Sequence, residues 1–149
     1  MRIGWQGAGT LSLLPLPDFP PMRKYTEKIQ DLIEKYEIGL FDQDKSAALM
    51  QGRGWAKDDE GFWAKDGERL KVIIDIFTIF QDIAPVLARQ LEKAGFEADF
   101  RMTSDTFTRM AQGTAKTFMM GNGGSVRDPY FTLRFYHSRF VRPTGTHAE

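Results

Sequence analysis

The sequence predicts an α/β fold with a mainly parallel sheet of three or more strands flanked by helices. Three observations carry this. Leu70 to Phe77 is nearly continuous in β-branched residues (Val72, Ile73, Ile74, Ile76), the pattern of a strand covered on both faces. Phe96 to Met102 alternates, with Phe96, Ala98, Phe100 and Met102 apolar against Glu97, Asp99 and Arg101, so one face of that strand is wet. Between them, Asp82 to Ala94 puts Ile83, Leu87, Leu91 and Ala94 on one helical face.

Taken in order, residues 1–21 read as loop, because Gly4, Gly7 and Gly9 lead into Pro15, Pro17, Pro20 and Pro21. A helix is predicted over Met22 to Ile38, where Tyr25, Ile29, Leu32, Ile33 and Tyr36 share a face and Gly39 supplies the stop. A second helix is predicted over Gln43 to Gln51, with Asp42 as N-cap and Gly52 as C′ residue. Gly54-Trp55, the acidic patch Asp58-Asp59-Glu60, Gly61-Phe62-Trp63 and the turn Lys65-Asp66-Gly67 follow.

The βαβαβ core comes next. Pro85 is acceptable in the first turn of the 82–94 helix, and Gly95 ends it. After the second strand, Ser104 caps a short helix carrying Phe107, Met110 and Ala111, which Gly113 ends. Ala115 to Met120 is the third strand. Right-handed crossovers give parallel pairs. The most apolar strand belongs in the middle, so the strand order is 2-1-3. The chain then reverses beside the first strand, making a switch point at the carboxyl ends of strands one and three. Thr78 to Gln81 and Gly121 to Asp128 emerge there. The reading divides the chain into a loop and helical segment (1–66), the lobe core with its loop (67–140) and a tail (141–149), together one structural domain.

The chain has 149 residues, 42% hydrophobic and 27% charged, enough for a folded domain with a core. Twenty basic residues balance twenty acidic ones, which argues against a general nucleic-acid binder. The absence of cysteine excludes disulfides and thiolate chemistry. No run approaches the roughly 18 apolar residues of a membrane span. Leu11 to Leu16 is too short and proline-broken for a signal-peptide core, so an exported parent would make this chain a fragment.

The candidate site is the glycine loop Gly121-Asn122-Gly123-Gly124-Ser125-Val126-Arg127-Asp128-Pro129. At a switch point such a loop meets ligands through backbone N–H groups, Asn122 and Ser125; otherwise it is a turn joining two segments. It lacks G-x-G-x-x-G and the lysine of a P-loop. Gly7-Ala8-Gly9 has no strand before it and no helix after it, so it is no dinucleotide loop either. Asp58, Asp59, Glu60 and Asp66 lack EF-hand spacing and read as turn chemistry. Trp55, Phe62 and Trp63 form either a ligand platform or a staple between a hairpin and the core. Arg134 to Arg142 interleaves bases and aromatics around His137, suiting either nucleic acid or packing against a missing part of a parent protein. His147 lies in the tail, and no hydrolase or metalloprotease motif is present. Asp75 interrupts an apolar strand, facing the rim or pairing with a lysine.

From about Asp42 to Ser138 the chain resembles the extracellular solute-binding protein family 5, the oligopeptide, dipeptide and nickel-type binding proteins of ABC importers. The pieces are Asp42-Gln43-Asp44-Lys45-Ser46-Ala47-Ala48-Leu49, then Gly54-Trp55 and Lys65-Asp66-Gly67-Glu68. Leu91-Glu92-Lys93-Ala94-Gly95-Phe96-Glu97, Gly113 to Gly121 with Asp128-Pro129, and Tyr136-His137-Ser138 follow in the family's order. The resemblance implies a periplasmic-binding-protein type II-like lobe, part of the second of two lobes that clamp a solute. It implies a peptide or small polar solute, ABC permease subunits and the missing first lobe as partners, and a periplasmic or cell-surface location. From the missing motifs, the spacing of the acidic residues and the balanced charge, no enzyme activity, cofactor, metal or nucleic-acid partner is expected. The helix at 22–38 reads as an insertion. Where peptide-binding members carry Gly-Trp and then an acid for the peptide's α-ammonium, this chain has Gly121-Asn122 and Ser125. That turns the reading toward a sugar or another polar solute, with Asp128 as the remaining carboxylate. The ligand-binding set is therefore Gly121, Asn122, Gly123, Gly124, Ser125 and Asp128. A free-standing protein-interaction domain and a small enzyme using the 121–128 loop are the alternatives, and self-association through an exposed cleft face is expected of an isolated lobe fragment.

Overall fold

The computed structural model of the chain describes residues 12–121, 124–141 and 143. They fall into two compact units, one holding residues 42–120 and the other residues 12–41 with the described part of 121–143.

Helix α1 (Pro20–Glu27) begins within the segment expected to be loop. Pro20 and Pro21 take the first turn, where a missing N–H costs nothing and the proline φ is already helical. The single helix expected over 22–38 is two, because α2 (Gln30–Lys35) is separate. The break is marked by its hydrogen bonds. The Thr26 carbonyl accepts the Ile29 N–H at 3.2 Å and the Gln30 side-chain amide at 3.2 Å, in place of the Gln30 backbone N–H. The stop also moves. Glu37, with φ +50, is the C′ residue, two positions before the expected Gly39, which is itself left-handed at φ +85. The Ile38 N–H reaches the Ile33 carbonyl at 3.0 Å and the Glu37 N–H the Glu34 carbonyl at 3.1 Å, the two bonds of a Schellman motif.

In the other unit, α3 (Gln43–Gly52) is capped by Asp42, whose carboxylate accepts the Lys45 N–H at 2.8 Å. Gly52 remains helical, and Gly54 (φ +82) closes the Schellman motif instead, two residues later than expected. The next segment is an antiparallel meander of β1 (Ala56–Lys57), β2 (Trp63–Lys65) and β3 (Glu68–Arg69). Asp66 (φ +53) and Gly67 (φ +81) form its second turn, both central residues left-handed as a tight hairpin requires.

Strand β4 (Lys71–Ile76) pairs in parallel with β5 (Glu97–Met102) on one side and β6 (Thr117–Phe118) on the other. The expected mixed α/β fold with a parallel sheet is therefore present. Helix α4 (Ala84–Lys93) joins β4 to β5 after a 3-10 turn at Thr78–Phe80, with Pro85 in its first turn. Helix α5 (Thr106–Ala111) joins β5 to β6. It starts two residues beyond the Ser104 expected as its cap. Thr106 is buried there, and its hydroxyl donates to the Thr103 carbonyl at 2.9 Å. The third strand shrinks from the expected 115–120 to two residues.

The core sits on one face of this sheet. Ile74, Ile76 and Ala84 are buried, with Val72, Phe80, Leu87, Leu91, Phe100 and Met119 packed around them. Coverage of the second face of β4 is only partial: Ile73 is 41% exposed, whereas Asp75 is 1% exposed. The reason lies in the neighbouring strand. Register pairs Lys71 with Glu97, Ile73 with Asp99 and Asp75 with Arg101, so the charged side of β5 shares the second face with the odd-numbered residues of β4. Continuous hydrophobicity within one strand did not reveal the polarity of its partner.

Beyond residue 120, α6 (Tyr130–Leu133) is followed by 3-10 turns at Arg134–Tyr136 and Ser138–Phe140.

Candidate functional site

The expected ligand loop belongs to the unit that contains α1, α2 and α6. Gly121 is exposed, and Gly124 (φ +105) is exposed in a conformation only glycine adopts readily. Asn122 and Gly123 lie outside the described residues. Ser125 is 1% exposed, and its hydroxyl accepts the buried Thr132 N–H of α6 at 3.0 Å. Asp128 is exposed and accepts the Tyr130 N–H at 2.9 Å. Ser125 and Asp128 thus tie the loop to the first turns of α6, whose N–H groups have no intrahelical partner. The stretch after α6 is mostly exposed. Arg134 stacks on both Phe131 and Phe135 at 5.0 Å, and His137 Nδ1 accepts the Arg139 N–H at 3.1 Å.

In the sheet unit, the open face of β4 and β5 carries a charge cluster that sequence reading only partly located. Asp75 is 1% exposed. Its partners are arginines, not the expected lysine: Arg101 Nε donates to Oδ1 at 2.6 Å and Arg101 Nη2 to Oδ2 at 2.9 Å. Arg109 Nη2 from α5 reaches Oδ2 at 3.5 Å. The Arg101 hydrogen bonds hold the Asp75 carboxyl below the usual carboxylate range, outweighing the upward push of burial. The Arg101 guanidinium is raised in turn by the Asp75 hydrogen bond. A cleft of about 300 Å³ opens on this cluster, lined by Lys71, Ile73, Asp75, Arg101, Arg109, Thr114, Lys116 and Thr117. Lys71 is paired with Glu97 at 2.9 Å. Arg101 was legible as a wet-face residue of β5. Arg109 was not, because nothing local in α5 signals that its side chain reaches another strand.

The remaining candidates take structural positions. Trp63 is 2% exposed and donates its indole N–H to the Ala94 carbonyl at 2.9 Å, stapling the meander to the α4–β5 junction. Asp58 accepts the Phe62 and Glu60 N–H groups at 2.9 and 3.0 Å and binds Arg69 Nε at 2.5 Å. The Phe62 backbone bond chiefly lowers its carboxyl's affinity for a proton. Arg69 also meets Glu60 at 2.9 Å, so the acidic patch is a closed turn network. Among the described residues no group of three or more His, Asp or Glu could hold a metal ion. No described helix is long and apolar enough to cross a membrane.

Among solved structures, the chain is similar in fold to NikZ from Campylobacter jejuni, solved in complex with Ni(L-His). The two share 24% identity over 65% of this chain and 20% of that one, with a TM-score of 0.53. It is also aligned with the oligopeptide-binding protein AppA from Bacillus subtilis, solved with a nonapeptide, at 16% identity over 75% of this chain and 22% of that one, TM-score 0.48. The chain therefore spans about a fifth of the length of these structures. No family model and no curated protein matches it. The NikZ alignment shows a fold shared over 65% of this chain.

Proposed function

We propose that this chain is part of the second lobe of an ABC-importer solute-binding protein, acting in the periplasm or at the cell surface. The observation that carries the reading is the fold shared with NikZ over 65% of the chain. The ordered motifs from Asp42 to Ser138 support it independently. In such a clamp, two lobes close on a solute and the closed form is read by permease subunits in the membrane. Affinity comes from burying the solute with a few oriented polar groups. No covalent step is involved, so no catalytic residue is assigned.

The proposed solute contacts are the Gly121, Asn122, Gly123 and Gly124 backbone and the exposed Asp128 carboxylate. Ser125, which is buried, serves the loop by receiving the Thr132 N–H. The solute class is a small polar molecule or peptide; NikZ was solved in complex with Ni(L-His).

The test is calorimetry of the chain, and of its parent polypeptide, against Ni(L-His), short peptides and sugars. The expected result is weak binding by this chain alone and tight binding by a two-lobed parent. A tight one-to-one ligand on this chain alone, or a gene with no first lobe, would overturn the reading.

A second reading, a free-standing interaction domain, is favoured by large exposed apolar side chains such as Phe41 at 84% and Ile79 at 75%. Sedimentation separates them when combined with the gene structure: a stable complex with an unrelated protein and no first lobe favours the interaction domain.

A further inference from the structure

We infer that the basic cleft on the open face of the parallel sheet binds a small oxyanion, a carboxylate or phosphate group. It lies wholly within the 42–120 unit and does not depend on the solute-transport reading.

The cleft, about 300 Å³, is lined by four cations, Lys71, Arg101, Arg109 and Lys116, around one buried carboxylate, Asp75. Two of the cations are committed. Lys71 is paired with Glu97, and Arg101 spends its Nε and Nη2 on Asp75 while also feeling the charge of Asp105. The other two are not. Lys116 is exposed and has no acidic partner among the described residues. Arg109 reaches Asp75 Oδ2 and the Thr114 carbonyl only at 3.5 Å each, and its buried Nε has no hydrogen-bond partner at all. A guanidinium is a planar fork of five donors, and leaving a buried donor unpaired is costly. The backbone that carries Arg109 is also held in place. It sits at the end of α5, where its carbonyl receives the Thr114 N–H at 2.9 Å and the Ala115 N–H at 3.1 Å. The Thr114 hydroxyl bonds the same carbonyl at 3.2 Å. The cleft therefore offers an under-used guanidinium on an anchored backbone, an exposed ammonium on the same lining and room for several heavy atoms. A planar or tetrahedral oxyanion is the chemistry that such a fork and point charge recognise together.

The experiment is titration of the chain with orthophosphate and with succinate, ionic strength held constant with chloride, followed by calorimetry and amide chemical shifts. Saturable one-to-one binding is expected, with the shifts clustered at Asp75, Arg101 and Thr114 to Thr117. The two anions separate a phosphate ligand from a carboxylate. Arg109→Gln should weaken binding roughly tenfold, the loss of one charge-assisted contact. Lys116→Gln, at an exposed position that does not threaten folding, should weaken it severalfold. Lys93→Gln, on α4, should leave it unchanged. Non-saturating shifts, shifts centred elsewhere, or equal affinity in wild type and Lys116→Gln would overturn the inference.

Discussion

The indole N–H of Trp63 donates to the carbonyl of Ala94, the residue that caps α4. That carbonyl belongs to the group of helix-end acceptors with no partner inside the helix. The Trp63 backbone N–H bonds the next carbonyl, Gly95, at 2.7 Å. One residue of the meander thus satisfies two acceptors at the point where the chain leaves α4 for β5. Trp63→Phe keeps most of the ring but leaves the Ala94 acceptor unmet, and should cost about 1 kcal/mol. Trp63→Ala, which also empties a buried site, should cost about 3 to 5 kcal/mol. Urea unfolding of the two variants measures the split between hydrogen bond and packing.

Gly95 is a position where glycine is strictly required. Its φ is +95, and an added Cβ would lie 2.9 Å from the Gly61 carbonyl oxygen and 3.1 Å from Trp63 Nε1. Gly67 has a similar φ of +81 but open space around it. Gly67→Ala should therefore cost about 1 kcal/mol, the backbone term alone. Gly95→Ala should cost distinctly more, since backbone and indole must also give way. Paired thermal melts check the difference; equal losses would mean that the crowding at Gly95 is relieved without cost.

Asp75 makes stability depend on acid pH. Its carboxyl is depressed in the folded chain, chiefly by Arg101. Its contribution is therefore complete above the unfolded-state value, about pH 4, and is lost as pH falls through the lower folded value. Asp58 acts in the same direction in the meander. Asp75→Asn should lower stability near neutrality by about 2 to 3 kcal/mol, less than a fully buried pair because Arg101 is 41% exposed. It should also flatten the loss of stability between pH 5 and pH 3, as melts of both proteins across about that range would show.

Ser125 and Asp128 separate the two uses of a loop. Ser125→Ala removes the acceptor of a buried N–H and should destabilise by about 1 to 2 kcal/mol. Asp128→Asn, at an exposed position whose side-chain oxygen still accepts from Tyr130, should cost less than about 0.5 kcal/mol. If Asp128 is a solute contact, that same variant should weaken solute binding in the two-lobed parent while leaving its melting temperature unchanged.

Much of the sheet unit could be read from sequence because its signals are local. The β-branched run of β4, the alternation of β5 and the amphipathic face of α4 each lie within one element. Helix ends were harder. Gly52 is carried inside α3 while Gly54 ends it, and Gly39 is left-handed at φ +85 but lies two residues beyond Glu37, where α2 stops. Nothing in composition distinguishes a glycine that ends a helix from one carried inside it, since the final hydrogen bonds decide. At the break between α1 and α2 a side-chain amide and a backbone N–H share the Thr26 carbonyl, an arrangement that hydrophobic spacing does not record. The candidate loop was legible as glycine-rich, whereas the burial of Ser125 depends on a residue seven positions later. Asp75 was legible as unusual, but its two arginines lie 26 and 34 residues away and meet it only once the sheet is formed.

The charged rungs across β4 and β5 also select among alignments. Lys71 stands opposite Glu97 and Asp75 opposite Arg101. A slip of one residue would turn Arg101 toward the apolar side of the sheet, where Phe100 now packs. A slip of two in one direction would set Asp75 opposite Asp99 with no cation between them. The pair of rungs works like a key with two teeth: an apolar run of isoleucines and valines would tolerate several neighbouring alignments alike, and only the observed one seats both charge pairs together.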